Sequence, residues 1–256
     1  MRREYKYLVP IELYERVKEK CLPFLAADQF SRECGRYTVR SIYFDSSMLR
    51  FYHEKLAGAR LRKKLRIRGY DDQQNNSTVF LEIKRKIGDR IAKSRAPVPF
   101  ATLRALLDSG MVEDYVAPQS GHPAATTATA AQRFLFHMYR EALRPVVLVI
   151  YDREAYFYRF NHNIRVTFDL NLRSSIAPKL DCLFQENSLR YTLKSYFILE
   201  VKFYHNMPDW IKSLIATHSL PRMALSKYTM TIDTHRNVEG ELVTKRIIKP
   251  PPRKLE

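Results

Sequence analysis

The sequence predicts an α+β protein, an antiparallel β-sheet with flanking helices. Three observations predict it. Strand-length segments recur along the chain, each alternating apolar residues with charged ones two apart. Only short stretches of helical period lie between them. Glycine is scarce, at 7 in 256 residues, and neither GxxxxGKS/T nor GxGxxG occurs, so no glycine-rich loop at a helix N-terminus is available to hold phosphate.

In chain order, Glu4 to Val9 alternates and is rich in Tyr and Val, a strand. Pro10 opens a helix over Ile11 to Lys20, with Leu13, Val17 and Cys21 on one stripe. Tyr37 to Phe44 is a second strand, and Ser46 to Leu56 a short helix. Leu61 to Tyr70 and Thr78 to Lys86 are strands joined by the polar hairpin loop Asp71 to Ser77, and Arg90 to Pro97 is a further strand. Phe100 to Leu107 is helical and ends at Gly110. Pro118 to Ala131, small and rich in Ala and Thr, reads as a flexible surface loop, and Arg133 to Leu143 as an amphipathic helix. Strands follow at Val146 to Phe157, Asn163 to Asp169 and Ser195 to Phe203, then a helix from Pro208 to His218 and a last helix or turn from Ser226 to Thr234. There is no internal repeat. One domain over residues 1–236 and a flexible, basic, Pro-containing tail over 237–256 account for the chain.

Charge narrows the function. With 44 Lys+Arg against 27 Asp+Glu, the formal net charge is +17, which favours a polyanionic partner: nucleic acid, anionic lipid or a phosphate-rich small molecule. Cys21, Cys34 and Cys182 are an odd number without CxxC spacing, so neither a disulfide framework nor a zinc site is expected. The N-terminus lacks the apolar core of a signal peptide, and the longest apolar run, Val146 to Ile150, is strand-length. The expectation is a cytoplasmic protein, at most peripheral to a membrane. The scattered histidines lack metal spacing, and Ser226 has no His–Asp arrangement to make it a nucleophile.

The strands carry the chemistry. Glu4 and Lys6 share a face, as do Lys64, Arg66 and Arg68, then Glu82 and Lys84, Arg165 and Asp169, and Glu200 and Lys202. Arg153 lies on the face of Val149 and Tyr151. A solvated sheet face explains any one of these. Their repetition, with Lys and Arg far outnumbering acids, points elsewhere. Cations two apart or adjacent across strands repel one another, which a fold tolerates better when an anion lies between them. With these faces inward, a barrel would form a basic tunnel. Arg grips phosphate oxygens with a planar fork, Lys supplies a mobile charge, and a few carboxylates suffice for a divalent metal that also bridges phosphate oxygens.

The ordered set Glu4-Tyr5-Lys6-Tyr7, Ser41-Ile42-Tyr43-Phe44-Asp45, Leu65-Arg66-Ile67-Arg68, Leu81-Glu82-Ile83-Lys84-Arg85-Lys86, Tyr151-Asp152-Arg153, Ile164-Arg165-Val166-Thr167-Phe168-Asp169, Leu199-Glu200-Val201-Lys202-Phe203 and Ser226-Lys227-Tyr228 resembles the VTC domain over about residues 2–236. That is the catalytic domain of vacuolar transporter chaperone polyphosphate polymerases, within the CYTH or triphosphate tunnel superfamily. The resemblance implies an antiparallel closed β-barrel with flanking helices, and transfer of the terminal phosphate of ATP onto a polyphosphate chain, with manganese or magnesium. It implies that Lys6, Arg66, Arg68, Lys84, Arg153 and Lys227 act in catalysis, that Lys93, Arg165, Lys202 and Ser226 bind phosphate, and that Glu200 with Glu4 holds the metal. ATP and polyphosphate are then the partners, with no specific nucleic acid. The basic tail is suited to peripheral contact with anionic lipid or a polyphosphate chain. Hydrolytic superfamily members start with ExExK; here Arg2 stands at the first Glu, which favours the polymerase branch. The competing readings are a triphosphatase of the same fold and a non-catalytic polyanion-binding module. Against the module stand Glu4, Glu82, Asp169 and Glu200, which weaken simple anion binding.

Overall fold

Antiparallel pairing organises most of the chain, as the alternating segments predict. The computed structural model describes residues 2–29, 35–73, 77–88, 90–115 and 124–236, so Cys34, the first part of the expected loop from Pro118 and the basic tail lie outside the described residues. The strands are β1 (Arg3–Pro10), β2 (Leu25–Ala27), β3 (Tyr37–Asp45), β4 (Leu61–Tyr70), β5 (Thr78–Ile87), β6 (Arg90–Pro99), β7 (Arg144–Tyr158), β8 (Asn161–Ile176), β9 (Arg190–Tyr191) and β10 (Tyr196–Phe203). The α-helices are α1 (Tyr14–Cys21), α2 (Arg50–Leu56), α3 (Leu103–Ser109), α4 (Val112–Tyr115), α5 (Ala124–Arg140), α6 (Asp209–Thr217) and α7 (Lys227–Arg236).

Two units emerge, one drawn from residues 1–37, 151–173 and 190–256, the other from 38–150 and 174–189. In the first, β1 pairs with β10, β10 with β8, and β2 with β7, all antiparallel. Alternation sends Tyr7, Val9, Val166, Phe168, Leu199 and Val201 into a core covered by Tyr14, Val17 and Cys21 of α1 and by Ile211 and Leu214 of α6. Burying such side chains stabilises by about 1.5–3 kcal/mol each. Glu154 of β7 enters this core only because it is saturated. Tyr14 (2.5 Å), Arg36 (2.8 Å) and Tyr156 (3.0 Å) donate to it, and Lys18 pairs with it at 3.0 Å, which ties α1 to the sheet.

In the second unit β3, β4, β5 and β6 pair in sequence. One face buries Ile42, Phe44, Leu65, Ile67, Leu81, Ile83 and Val98 beneath α3 and α5. Asp45, fully buried at the end of β3, accepts the N–H groups of Phe51 and Tyr52 (both 3.0 Å) and so caps α2. Gly110 ends α3 at φ +75°, a conformation that favours glycine.

Two expectations change against the structure. The path of paired strands runs β1-β10-β8-β7-β3-β4-β5-β6, with β2 added on β7 and β9 on β8. Among the described residues no pairing joins β1 to β6, so closure into a barrel is not seen. Alternation fixes the two faces of a strand but says nothing about whether the end strands meet, which depends on strand number, tilt and stagger together. β6 has the character of an edge: Pro97 and Pro99 offer no N–H, and Arg90, Lys93 and Arg95 are exposed. The second correction concerns Ala124 to Ala131, which is helical and not loop. Alanine is the strongest helix former. Ala130, Ala131, Phe134, Leu135 and Met138 form one buried stripe whose small members allow close approach to the sheet. That stripe carries too little bulk to register as a hydrophobic pattern.

Candidate functional site

Each unit turns one sheet face to its core and concentrates charge on the other. In the first unit the cross-strand register sets three rows over β1, β10 and β8: Glu4–Lys202–Arg165, Lys6–Glu200–Thr167 and Leu8–Ile198–Asp169. Lys6 Nζ bridges Glu4 (3.0 Å) and Glu200 (3.5 Å) and donates to the Leu225 carbonyl (3.2 Å). Lys202 also pairs with Glu200. Asp169 receives two hydrogen bonds from Arg153, at 2.6 and 2.8 Å, and a third from Lys227 at 2.5 Å. Arg153 and Lys227 also sit over the Tyr151 ring, 5.2 and 4.4 Å from its centroid. Arg165 donates to Asp28 (2.7 Å) and Tyr37 (3.3 Å).

This face is balanced. Burial alone would raise the carboxyl pKa values. Lys202, Lys6, Arg153 and Lys227 reverse that for Glu200 and hold it well below the usual range. Asp169, opposed by burial but held by Arg153 and Lys227, falls to about 2. Burial likewise works against charge on Lys6, but Glu200 and Glu4 raise its pKa overall. The residues placed here are therefore Lys6, Glu4, Arg153, Arg165, Glu200, Lys202 and Lys227. Ser226 is buried at the start of α7, where its Oγ accepts the Thr229 N–H (3.4 Å) and so helps to begin the helix that presents Lys227. Glu4 and Glu200 are the two carboxylates brought onto one ammonium, and among the described residues no group of three or more His, Cys, Asp or Glu is assembled for a metal.

The second unit differs. On one face of β4, β5 and β6 lie Arg62, Lys64, Arg66, Arg68, Lys84, Lys86, Lys93 and Arg95, with Glu82 as the only carboxylate. Lys64, Lys84 and Lys93 are direct cross-strand neighbours in one row, and Arg66, Glu82 and Arg95 form the next. Arg66 donates to Glu82 (2.7 Å) and to the Tyr43 hydroxyl (2.9 Å). Arg68 donates to Ser41 (3.2 Å), and Arg95 stacks on Phe80 at 3.5 Å. Burial opposes the charge on Glu82, yet Arg66, Arg68 and Arg95 hold it at about 2. The Tyr70 phenol is pulled below its ordinary value despite burial, because Arg68 and Arg95 stabilise its anion.

All four residues expected to grip phosphate from this region, Arg66, Arg68, Lys84 and Lys93, share that face. Tyr43 belongs to it as well, and so does Arg95, which the sequence reading does not single out. The two-residue period from Lys93 would have located Arg95. Asp169 is a further hub, and its signal was the same alternation that marks Arg165.

Residues 1–235 match the VTC domain family. Subunit 4 of the vacuolar transporter chaperone complex of Schizosaccharomyces pombe (strain 972) is 26% identical over 235 residues, covering 78% of this chain, while the chain spans only 32% of that relative's length. Among solved structures, the PH1819 protein of Pyrococcus horikoshii OT3 is similar at 13% identity and TM-score 0.46, over 91% of this chain and 99% of that one. HpAC1 of Hippeastrum, described as having a dominant triphosphatase activity, is similar at 12% identity and TM-score 0.45, over 91% and 96%. With the family match running from the first strand to the last helix, through every charged strand described above, this chain belongs to the VTC domain family.

Proposed function

We propose that this chain catalyses phosphoryl transfer, moving the terminal phosphate of ATP onto a growing polyphosphate chain with a divalent metal ion. The observation that carries the reading is the cation excess on the face of β4–β6, where Lys64, Lys84 and Lys93 stand directly opposite one another. A polyanion laid across the rows meets cations from three strands and gains several charge-assisted contacts. Family membership supports the same reading.

Phosphoryl transfer asks little covalent chemistry of a protein, because positioning and charge neutralisation supply most of the rate. In this reading Arg66, Arg68, Lys84 and Lys93 are the phosphate-binding residues of the second unit, and Lys6, Arg153, Arg165, Lys202 and Lys227 are those of the first. Tyr43 and Asp169 hold Arg66 and Arg153 in place. Glu200, kept ionised by its neighbours, and Glu4 fit a divalent ion that reaches the protein with its phosphates, since such ions need only one or two protein carboxylates. Manganese or magnesium held there would neutralise charge on the phosphate oxygens. Arg2, standing where hydrolytic superfamily members carry an acid, weighs for transfer over hydrolysis.

Incubation of the purified protein with ATP and Mn²⁺, followed by gel detection of dye-stained polyphosphate and a parallel count of ADP and free phosphate, tests the proposal. Polymer with matching ADP supports it. Free phosphate without polymer replaces it with a triphosphatase, and neither, with tight binding to added polyphosphate, leaves a binding module.

A further inference from the structure

On the charged face of the first unit, almost every polar group has a partner. Two atoms do not: Arg165 Nε and Thr167 Oγ1 are both buried without a hydrogen-bond partner among the described residues. They stand two residues apart on β8 and so point to the same side, while Ile164, Val166 and Phe168 between and beside them enter the core. Thr167 is 1% exposed and lies directly across from Glu200, in the row that begins with Lys6. Leaving such groups unpaired costs about 1–3 kcal/mol each. Arg165 is held by Asp28 and Tyr37 through its terminal nitrogen, which fixes the side chain and leaves Nε–H directed elsewhere.

The chemistry of the two atoms selects the ligand. An arginine Nε–H only donates, so it cannot coordinate a cation. A threonine hydroxyl can donate beside it. Two adjacent donors fit an anionic oxygen, and a tetrahedral phosphoryl group offers several. We propose that Arg165 Nε and Thr167 Oγ1 form a two-donor cradle for one phosphoryl group, and that Thr167 is a substrate-contact residue that binds phosphate independently of the metal. This inference rests on the phosphate-binding reading above and adds a subsite and a residue to it.

The test measures binding of inorganic tripolyphosphate to the whole protein by calorimetry, in EDTA and again with Mn²⁺, for wild type, Thr167→Val and Thr167→Ser. Thr167→Val should bind about tenfold more weakly in EDTA, the loss expected of one hydrogen bond to a charged group, and Thr167→Ser should bind as wild type. The ligand-free melting temperature of Thr167→Val should stay level or rise, since a methyl replaces an unpaired buried hydroxyl. Equal affinity of Thr167→Val and wild type overturns the cradle. So does a loss seen only with Mn²⁺, which would assign the hydroxyl to the metal, or a fall in the ligand-free melting temperature, which would make it structural. If wild type itself fails to bind tripolyphosphate, the functional proposal falls along with the cradle.

Discussion

The two charged faces use the same residue types to opposite effect. In the first unit, cations and carboxylates are interleaved: Lys6 with Glu4 and Glu200, Lys202 with Glu200, Arg153 and Lys227 with Asp169, Arg165 with Asp28. In the second, one carboxylate stands among eight cations on three strands. A balanced, buried face is stiff, because removing one partner strands the others. A face whose strands carry many cations and one carboxylate offers an incoming anion several contacts at once. The difference teaches that the count of lysines and arginines does not by itself locate the phosphate grip; the order in which the strands interleave them with carboxylates matters as well.

Substitution at the centre of the balanced face should break this contrast most forcefully if it is wrong. Asp169→Asn leaves Arg153 and Lys227 buried without their counter-charge, and the expected loss is about 3–5 kcal/mol in denaturant unfolding. An unchanged midpoint would show that the first unit carries its charge as loosely as the second.

Acid sensitivity sharpens the contrast at Glu82. Its folded pKa of about 2 lies below the ordinary 4.5. A carboxylate depressed in this way stabilises the fold fully above its unfolded value and ceases to do so as pH falls through the folded one. Roughly 3 kcal/mol should therefore disappear between about pH 4.5 and 2. Denaturant unfolding between pH 6 and 2.5 reads this, and Glu82→Gln should flatten that part of the profile. A profile equally steep in the variant would mean that the surrounding arginines do not hold Glu82.

The smallest stability change is expected for Lys93→Ala, on the exposed edge strand. Stability should stay within about 0.5 kcal/mol of wild type, while tripolyphosphate affinity falls several-fold and its dependence on salt becomes shallower. Calorimetry at a series of salt concentrations checks both. A stability loss as large as that of Asp169→Asn would erase the distinction between the faces.

Periodicity alone determined most of the strands, which face of each carries charge, and the short helices between them, because periods of about 2 and 3.6 are written in the residues themselves. The ordered charged strands also pointed to the family. Tertiary structure decided the rest. Whether β1 and β6 meet depends on tilt and stagger summed over many strands, and an alternating pattern is the same in an open sheet and a closed one. That Ala124 to Ala131 is helical depended on a sheet being present to receive its small stripe. And only the register could show that Lys6 lands on Glu200, that Lys64, Lys84 and Lys93 stack in one row, and that Thr167 lies across from Glu200, since those neighbours are far apart in sequence and are chosen by pairing in space.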